Sequence, residues 1–315
     1  MKKNVIFFYF LLLILSLFSQ NTNKNKWSVL RGPYLGQEPP GMEPVIFAGK
    51  FITSKHRIHG TPAFSPDGKE VYWSVFPKTN EFSTRTQVIL FSKCVNEIWT
   101  SPELASFSGK YFDGGPFFSP DGNKLYFYSR RPLKEKSEKE TNGEIWYVEK
   151  KGDKWNTPRH LTIDMKGDKL FFSLSKNGNL YFTSGHGPRG SGSGNVDIYV
   201  AKFINGSYLK PEKLPEPINS EKYLESDVLI SSDETYLIFY SFEKPGNFGQ
   251  YDLYVSFKTG NQWSNPINLG KNINKGYSRF PGFSPDGKYL FFVRRDGVYW
   301  VSTKIIDELI PKNLK

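Results

Sequence analysis

Residues 283–292 read Phe283-Ser284-Pro285-Asp286-Gly287-Lys288-Tyr289-Leu290-Phe291-Phe292. This stretch decides the fold because it couples a turn to a strand. Pro presets φ at an early turn position, Asp caps its own backbone, and Gly supplies positive φ. The branched and aromatic run behind it favours a pleated strand. Each copy of the stretch therefore opens a β-hairpin.

The stretch recurs. Phe64-Ser65-Pro66-Asp67-Gly68-Lys69 and Phe118-Ser119-Pro120-Asp121-Gly122-Asn123 are close copies, and Leu174-Ser175-Lys176-Asn177-Gly178 and Ile230-Ser231-Ser232-Asp233-Glu234 are eroded ones. The third position falls at residues 66, 120, 176, 232 and 285, in steps of 54, 56, 56 and 53. A second run follows each turn, as in Leu125-Tyr126-Phe127, and a third comes after a variable loop, as in Asp197-Ile198-Tyr199-Val200. An aromatic three residues before a Pro marks a fourth element, at Trp99, Trp155, Tyr208 and Trp263. Four short strands per repeat of this length describe a propeller blade.

The fifth repeat runs out after its third strand. Glu43-Pro44-Val45-Ile46-Phe47-Ala48-Gly49 resembles Asn265-Pro266-Ile267-Asn268-Leu269-Gly270, so the missing strand is expected at the N-terminal end. Closing the ring this way removes open sheet edges. The expected fold is all-β: a single β-propeller of five four-stranded blades, closed by an N-terminal strand. A sixth blade would need strands from residues 20–42. The expected division is a signal peptide at 1–19, an N-terminal extension at 20–42, the propeller at 43–303 and a C-terminal tail at 304–315.

The same residues resemble the TolB-type β-propeller repeat of exported bacterial proteins, a WD-repeat-like family. They are the Phe-Ser-Pro-Asp-Gly-Lys turn, the Leu-Tyr-Phe strand and the later Asp-Ile-Tyr-Val. The likeness covers about residues 43–303 and implies a protein- or envelope-binding module. TolB itself has an N-terminal α/β domain and a six-bladed ring, which this sequence lacks, so its partners are not carried over.

Composition narrows the function. Of 315 residues, 38% are hydrophobic and 17% aromatic, which excludes an extended disordered chain. The single Cys94 excludes an intrachain disulfide framework and a Cys-cluster metal site. Lys2 and Lys3 precede an apolar run from Val5 to Phe18, with a small residue at Ser19; this reads as a secretory signal and places the protein in the periplasm or outside the cell. The net charge of +11 is the excess of 32 Lys and 10 Arg over 31 Asp and Glu, the Lys scattered along the chain. Scattered Lys reads as a solvated surface, so no nucleic acid is expected. No transmembrane span is expected in the mature chain, and no cofactor or metal.

Candidate site residues come from register. Five residues before the first residue of each turn motif stand His59, Asp113, Lys169, Glu225 and Ser278, with Arg279 next door. Each sits where the chain enters the innermost strand, so the group should ring one mouth of the central channel. Asp227 lies two residues beyond Glu225. Loops between the second and third strands open on the same face and carry Arg131, Arg189 and Arg294. Together His59, Asp113, Glu225, Asp227, Arg279, Arg131, Arg189 and Arg294 form the candidate ligand-binding set. Arg grips carboxylate or phosphate in a bidentate way.

The expected function is a non-catalytic binding module acting as a monomer, for an envelope protein or an anionic glycan. The alternative is a glycan-active hydrolase, a glycoside hydrolase with Asp113, Glu225 and Asp227 as acid and base. The Ser-x-Asp-x-Gly-x-Thr-Trp box of sialidases is absent. The turn aspartates Asp67, Asp121 and Asp286 are assigned to turn chemistry.

Overall fold

A computed structural model describes residues 29–53, 56–77, 86–133, 140–185 and 196–314. The expected signal peptide lies outside the described residues. Five antiparallel sheets of the described residues are arranged as a five-bladed propeller, with a separate two-stranded ribbon, Phe203–Ile204 and Ser207–Tyr208, beside blade three. Blade two shows the pattern: Asp113–Phe118 innermost, then Lys124–Ser129, Glu144–Lys151 and, outermost, Arg159–His160. Blade three runs Leu170–Leu174, Leu180–Gly185, Val196–Ala201 and Glu212–Lys213; blade four runs Leu224–Ile230, Tyr236–Phe242, Tyr251–Thr259 and Ile267–Asn268. In blade one the innermost strand is split into Arg57–Ile58 and Ala63–Phe64, followed by Glu70–Phe76, Val88–Val95 and Glu103–Leu104.

Blade five closes the ring. Arg279–Phe283, Tyr289–Arg294 and Gly297–Ser302 take their fourth strand from Val45–Ile46. Val45 pairs with Trp300 and Ile46 with Tyr299, and the Phe47 amide donates to the Val298 carbonyl at 2.8 Å. In blades one, two and four the aromatic that precedes the Pro folds back as a short hairpin strand on the end of the third strand, such as Ile98–Trp99 on Val88–Val95; in blade three Ser207–Tyr208 pairs with Phe203–Ile204 instead. The outermost strand starts just after the Pro.

The core is divided among the seams between blades. Tyr72, Phe118, Phe127 and Trp146 fill the seam of blades one and two; Tyr181, Val228, Phe239 and Tyr254 fill that of three and four. Trp146, Tyr199, Tyr254 and Trp300, at one repeat position, are all buried in these seams. Flanking segments join in. Leu35, within Pro33–Gly36, is fully buried beside Phe47 and Trp300, and the Trp99 indole donates to the Gly32 carbonyl at 2.7 Å. The C-terminal helix Lys304–Leu309 buries Ile306 between blades four and five. The extension and the tail thus add to the core from residue 30 onward.

The turn motif explains its own composition. Ser119 Oγ donates to Asp121 Oδ1 at 2.5 Å and accepts the Lys124 amide at 2.9 Å, while Asp121 Oδ1 accepts the Asn123 amide at 3.0 Å. The same Ser–Asp bond recurs at Ser65–Asp67, Ser231–Asp233 and Ser284–Asp286. Gly122 has φ +72, the conformation the turn requires.

Candidate functional site

The innermost strands surround a central cavity of about 700 Å³. Its shape follows from an irregularity repeated in the ladder. In blades two to five the register slips midway along the innermost strand, between Gly114 and Phe117, Leu170 and Ser173, Ser226 and Leu229, and Arg279 and Gly282. A bulge of this kind re-aims side chains. The equivalent residues at the slip are Gly115, Phe171, Asp227 and Phe280, with φ of +56°, +43°, +56° and +54°. For the three non-glycine residues such a backbone costs about 1–3 kcal/mol each. The flanking ladder segments hold them there, and all three side chains line the cavity.

The wall is mainly apolar and rich in aromatics, with Phe112, Phe117, Phe171, Phe172, Phe280 and Phe283 on it. His59 also lies on it, its ring 4.8 Å from that of Phe280 and 5.2 Å from that of Phe76. Burial, with the charges of Arg279 and Arg57, holds the imidazole down at about 4, so it is neutral at neutral pH. Asp227 is buried and bidentate on Arg279, at 2.9 Å to Nε and 3.0 Å to Nη2, and also accepts the Phe280 amide at 3.1 Å. The guanidinium of Arg279 stacks on Tyr240 and Phe280, each at 4.5 Å. His59, Asp227 and Arg279 therefore come together at the channel, across blades one, four and five.

The other candidates go elsewhere. Asp113, fully buried, pairs with Arg131 Nη2 at 2.8 Å and accepts from Ser108 Oγ at 3.0 Å. Arg131 also donates to the Phe107 carbonyl at 3.1 Å and Ser129 Oγ at 2.8 Å, and packs over Phe127 and Trp146. This pair is internal to blade two and off the cavity wall. Glu225 is buried among the Ser220 amide (3.1 Å), Ser220 Oγ (2.9 Å) and Ser241 Oγ (3.4 Å), and burial pushes its carboxyl up to about 7. Arg294, also buried, donates from Nη2 to the Asn272 and Ile273 carbonyls and stacks on Tyr299 at 4.2 Å. It anchors a loop. Arg189 lies outside the described residues.

Sequence reasoning missed two cations. Arg130 lines the cavity, stacked on Phe112 at 4.2 Å, with Nε donating to Tyr128 Oη at 3.3 Å. Arg57 lies over Phe76 at 4.5 Å, on the ring that His59 also touches. Among the described residues neither pairs with a carboxylate. The available signal was alternation: of the neighbours Arg130 and Arg131, one must point away from the blade core.

No family model matches the chain, and no curated protein does. Solved structures do. The chain is similar to hydrazine synthase of Kuenenia stuttgartiensis, with a TM-score of 0.50 and 14% identity, over 76% of this chain and 36% of that one. It is similar to an oligogalacturonate lyase in complex with manganese (TM-score 0.45, 14% identity, 82% of this chain, 66% of that one). It is similar to a glycoside hydrolase (TM-score 0.49, 12% identity, 86% and 91%). The chain thus spans less than two thirds of the synthase and of the lyase. At these identities the likeness is one of fold, and the neighbours are propeller-type folds that include hydrolases and lyases.

Proposed function

We propose that the protein is an exported, non-catalytic binding propeller of the TolB-type repeat class. It acts as a monomer in the periplasm or outside the cell. It takes an anionic ligand, carried by a glycan or an envelope protein, at the channel mouth around His59. One observation supports this reading above the others. The carboxylates Asp113 and Asp227 are each bound to an arginine, whereas Arg130, on the cavity wall, and Arg57, over the Phe76 ring that His59 touches, have no carboxylate partner among the described residues. A glycosidase needs two carboxyl groups free to flank a scissile bond; a binding site for anions needs unpaired guanidinium groups.

The test is a glycan array with acidic and neutral members, read at low and high salt, with wild type and the double variant Arg57→Gln/Arg130→Gln. Acidic glycans should be retained by wild type, lost by the variant, and weakened by salt. Equal retention of neutral and acidic members would overturn the reading.

The hydrolase alternative would have to use Glu225, whose carboxyl burial pushes up to about 7 but which lies buried off the cavity wall. Release of new reducing ends from an acidic glycan, abolished by Glu225→Gln, would establish it in place of the binding module.

A further inference from the structure

We infer that the channel behind His59 is a site for a small amphiphilic carboxylate: one anionic head on an apolar body. This rests on the anionic-ligand reading above: the glycan or protein acid is taken at the mouth, and the space behind it accepts a smaller ligand of its own. The volume, about 700 Å³, lies within the range of pockets that enclose small molecules, roughly 300–1,000 Å³. The deep wall is aromatic and aliphatic, with Phe117, Phe171, Phe280 and Leu229 facing the space. A polyhydroxylated chain drawn into it would lose water bonds that few wall groups replace. An apolar body loses none.

The charges select the head. Arg130 lies on the wall at the His59 end, just past Ser129, and among the described residues it pairs with no carboxylate. The carboxylate on the wall, Asp227, is neutralised by Arg279. His59, neutral beside these groups, adds a hydrogen-bonding edge without adding charge. The Arg130 guanidinium already lies over the Phe112 ring at 4.2 Å, so little freedom is lost when it meets a carboxylate. Depth is kept by Gly115, whose place in the bulge puts no side chain into the channel.

The experiment is isothermal titration of the purified protein with decanoate, 1-decanol and trigalacturonate. Decanoate should saturate at one per chain, with 1-decanol about tenfold weaker. Arg130→Gln should weaken decanoate about fivefold to tenfold and leave 1-decanol unchanged, since it removes only the head contact. Phe171→Gly should weaken both; glycine adopts φ +43° without strain, so this variant keeps its fold while losing part of the wall. Arg159→Gln, on the outermost strand of blade two, is the control and should change nothing.

Absence of saturable decanoate binding would overturn the inference, as would equal binding of decanoate and 1-decanol or an unaffected Arg130→Gln. Binding of trigalacturonate without decanoate would overturn it while leaving the broader anionic-ligand reading standing. Binding of neither anion would remove both.

Discussion

Asp113 and Arg131 are joined inside blade two, whereas Asp227 and Arg279 join blade four to blade five. Both pairs are an aspartate and an arginine at hydrogen-bond distance, 2.8 and 2.9 Å. Their surroundings differ. The Arg131 side chain is 9% exposed, with its donors turned to the Phe107 carbonyl, Ser129 and Asp113. That of Arg279 is 16% exposed, and its aspartate faces the channel. The cause is local. Asp113 precedes the ladder slip and points into the blade; Asp227 sits on the slip, in left-handed backbone, and is turned to the cavity. Equal chemistry on one repeat thus yields a sealed pair and a pair on a binding wall.

The strongest way to break this contrast is Arg131→Ala. It leaves Asp113 buried without a cation, which costs about 3–5 kcal/mol. The urea midpoint should fall accordingly, while decanoate affinity of the folded fraction stays at the wild-type value. A loss of affinity beyond the loss of folded protein would show that the sealed pair also serves the channel.

His59 and Glu225 occupy the same repeat position as Asp113 but without an ion pair, and their pH signatures oppose each other. His59 falls from 6.5 to about 4 on folding, so the unfolded chain binds the proton more readily and stability is lost as pH drops from 6.5 to 4. Glu225 rises from 4.5 to about 7, so the folded chain keeps its proton and stability is lost as pH climbs from 4.5 to 7. Each effect is about 3 kcal/mol when fully developed. Between pH 4.5 and 6.5 the slopes of these two groups oppose and largely cancel each other. Glu225→Gln should make stability rise with pH across that window, and His59→Gln should make it fall. Parallel profiles for both variants would mean that neither group is perturbed by its site.

Arg279→Gln sharpens the contrast from the channel side. It removes two hydrogen bonds to a charged group, worth about 1.5–3 kcal/mol, less than the sealed pair because Asp227 keeps the Phe280 amide and faces the cavity. It also exposes an uncompensated carboxylate on the wall. Decanoate affinity should therefore drop along with stability, in calorimetry and urea unfolding of the same preparation. A variant destabilised but unchanged in affinity would place the pair outside the site.

The ring was legible because its signals are local: a turn whose residues bond one another, and strands of aromatic and branched residues at regular steps. Closure by Val45–Ile46 was legible from the Pro that precedes each outermost strand. The channel wall was only half legible. Counting back from the turn finds His59, Asp113 and Glu225, but orientation is set two residues later, at the slip. There Gly115, Phe171, Asp227 and Phe280 include a glycine, two aromatics and a carboxylate, so no repeat pattern marks them. Arg131 and Arg294 have the residue type for anion binding, and only tertiary packing reveals that carbonyls and a carboxylate already hold them.

Asp121→Ala, the smallest effect, carries the comparison to an aspartate eight residues from Asp113 in the same blade. Asp121 sits at the exposed tip of the turn, where Oδ1 accepts from Ser119 Oγ and the Asn123 amide and Oδ2 from Asn123 Nδ2. The Ser119 hydroxyl, followed by the Asn123 amide, holds its carboxyl below the usual range. Its contribution is therefore present above the ordinary aspartate value and lost as pH falls through the depressed one. Water replaces most of what the variant removes, and Ser119 keeps its bond to the Lys124 amide. The expected loss is about 1 kcal/mol near neutral pH, fading in acid, with decanoate affinity unchanged. Lost affinity at an unchanged urea midpoint would show that the turn face, and not only the bulge layer, contacts ligand.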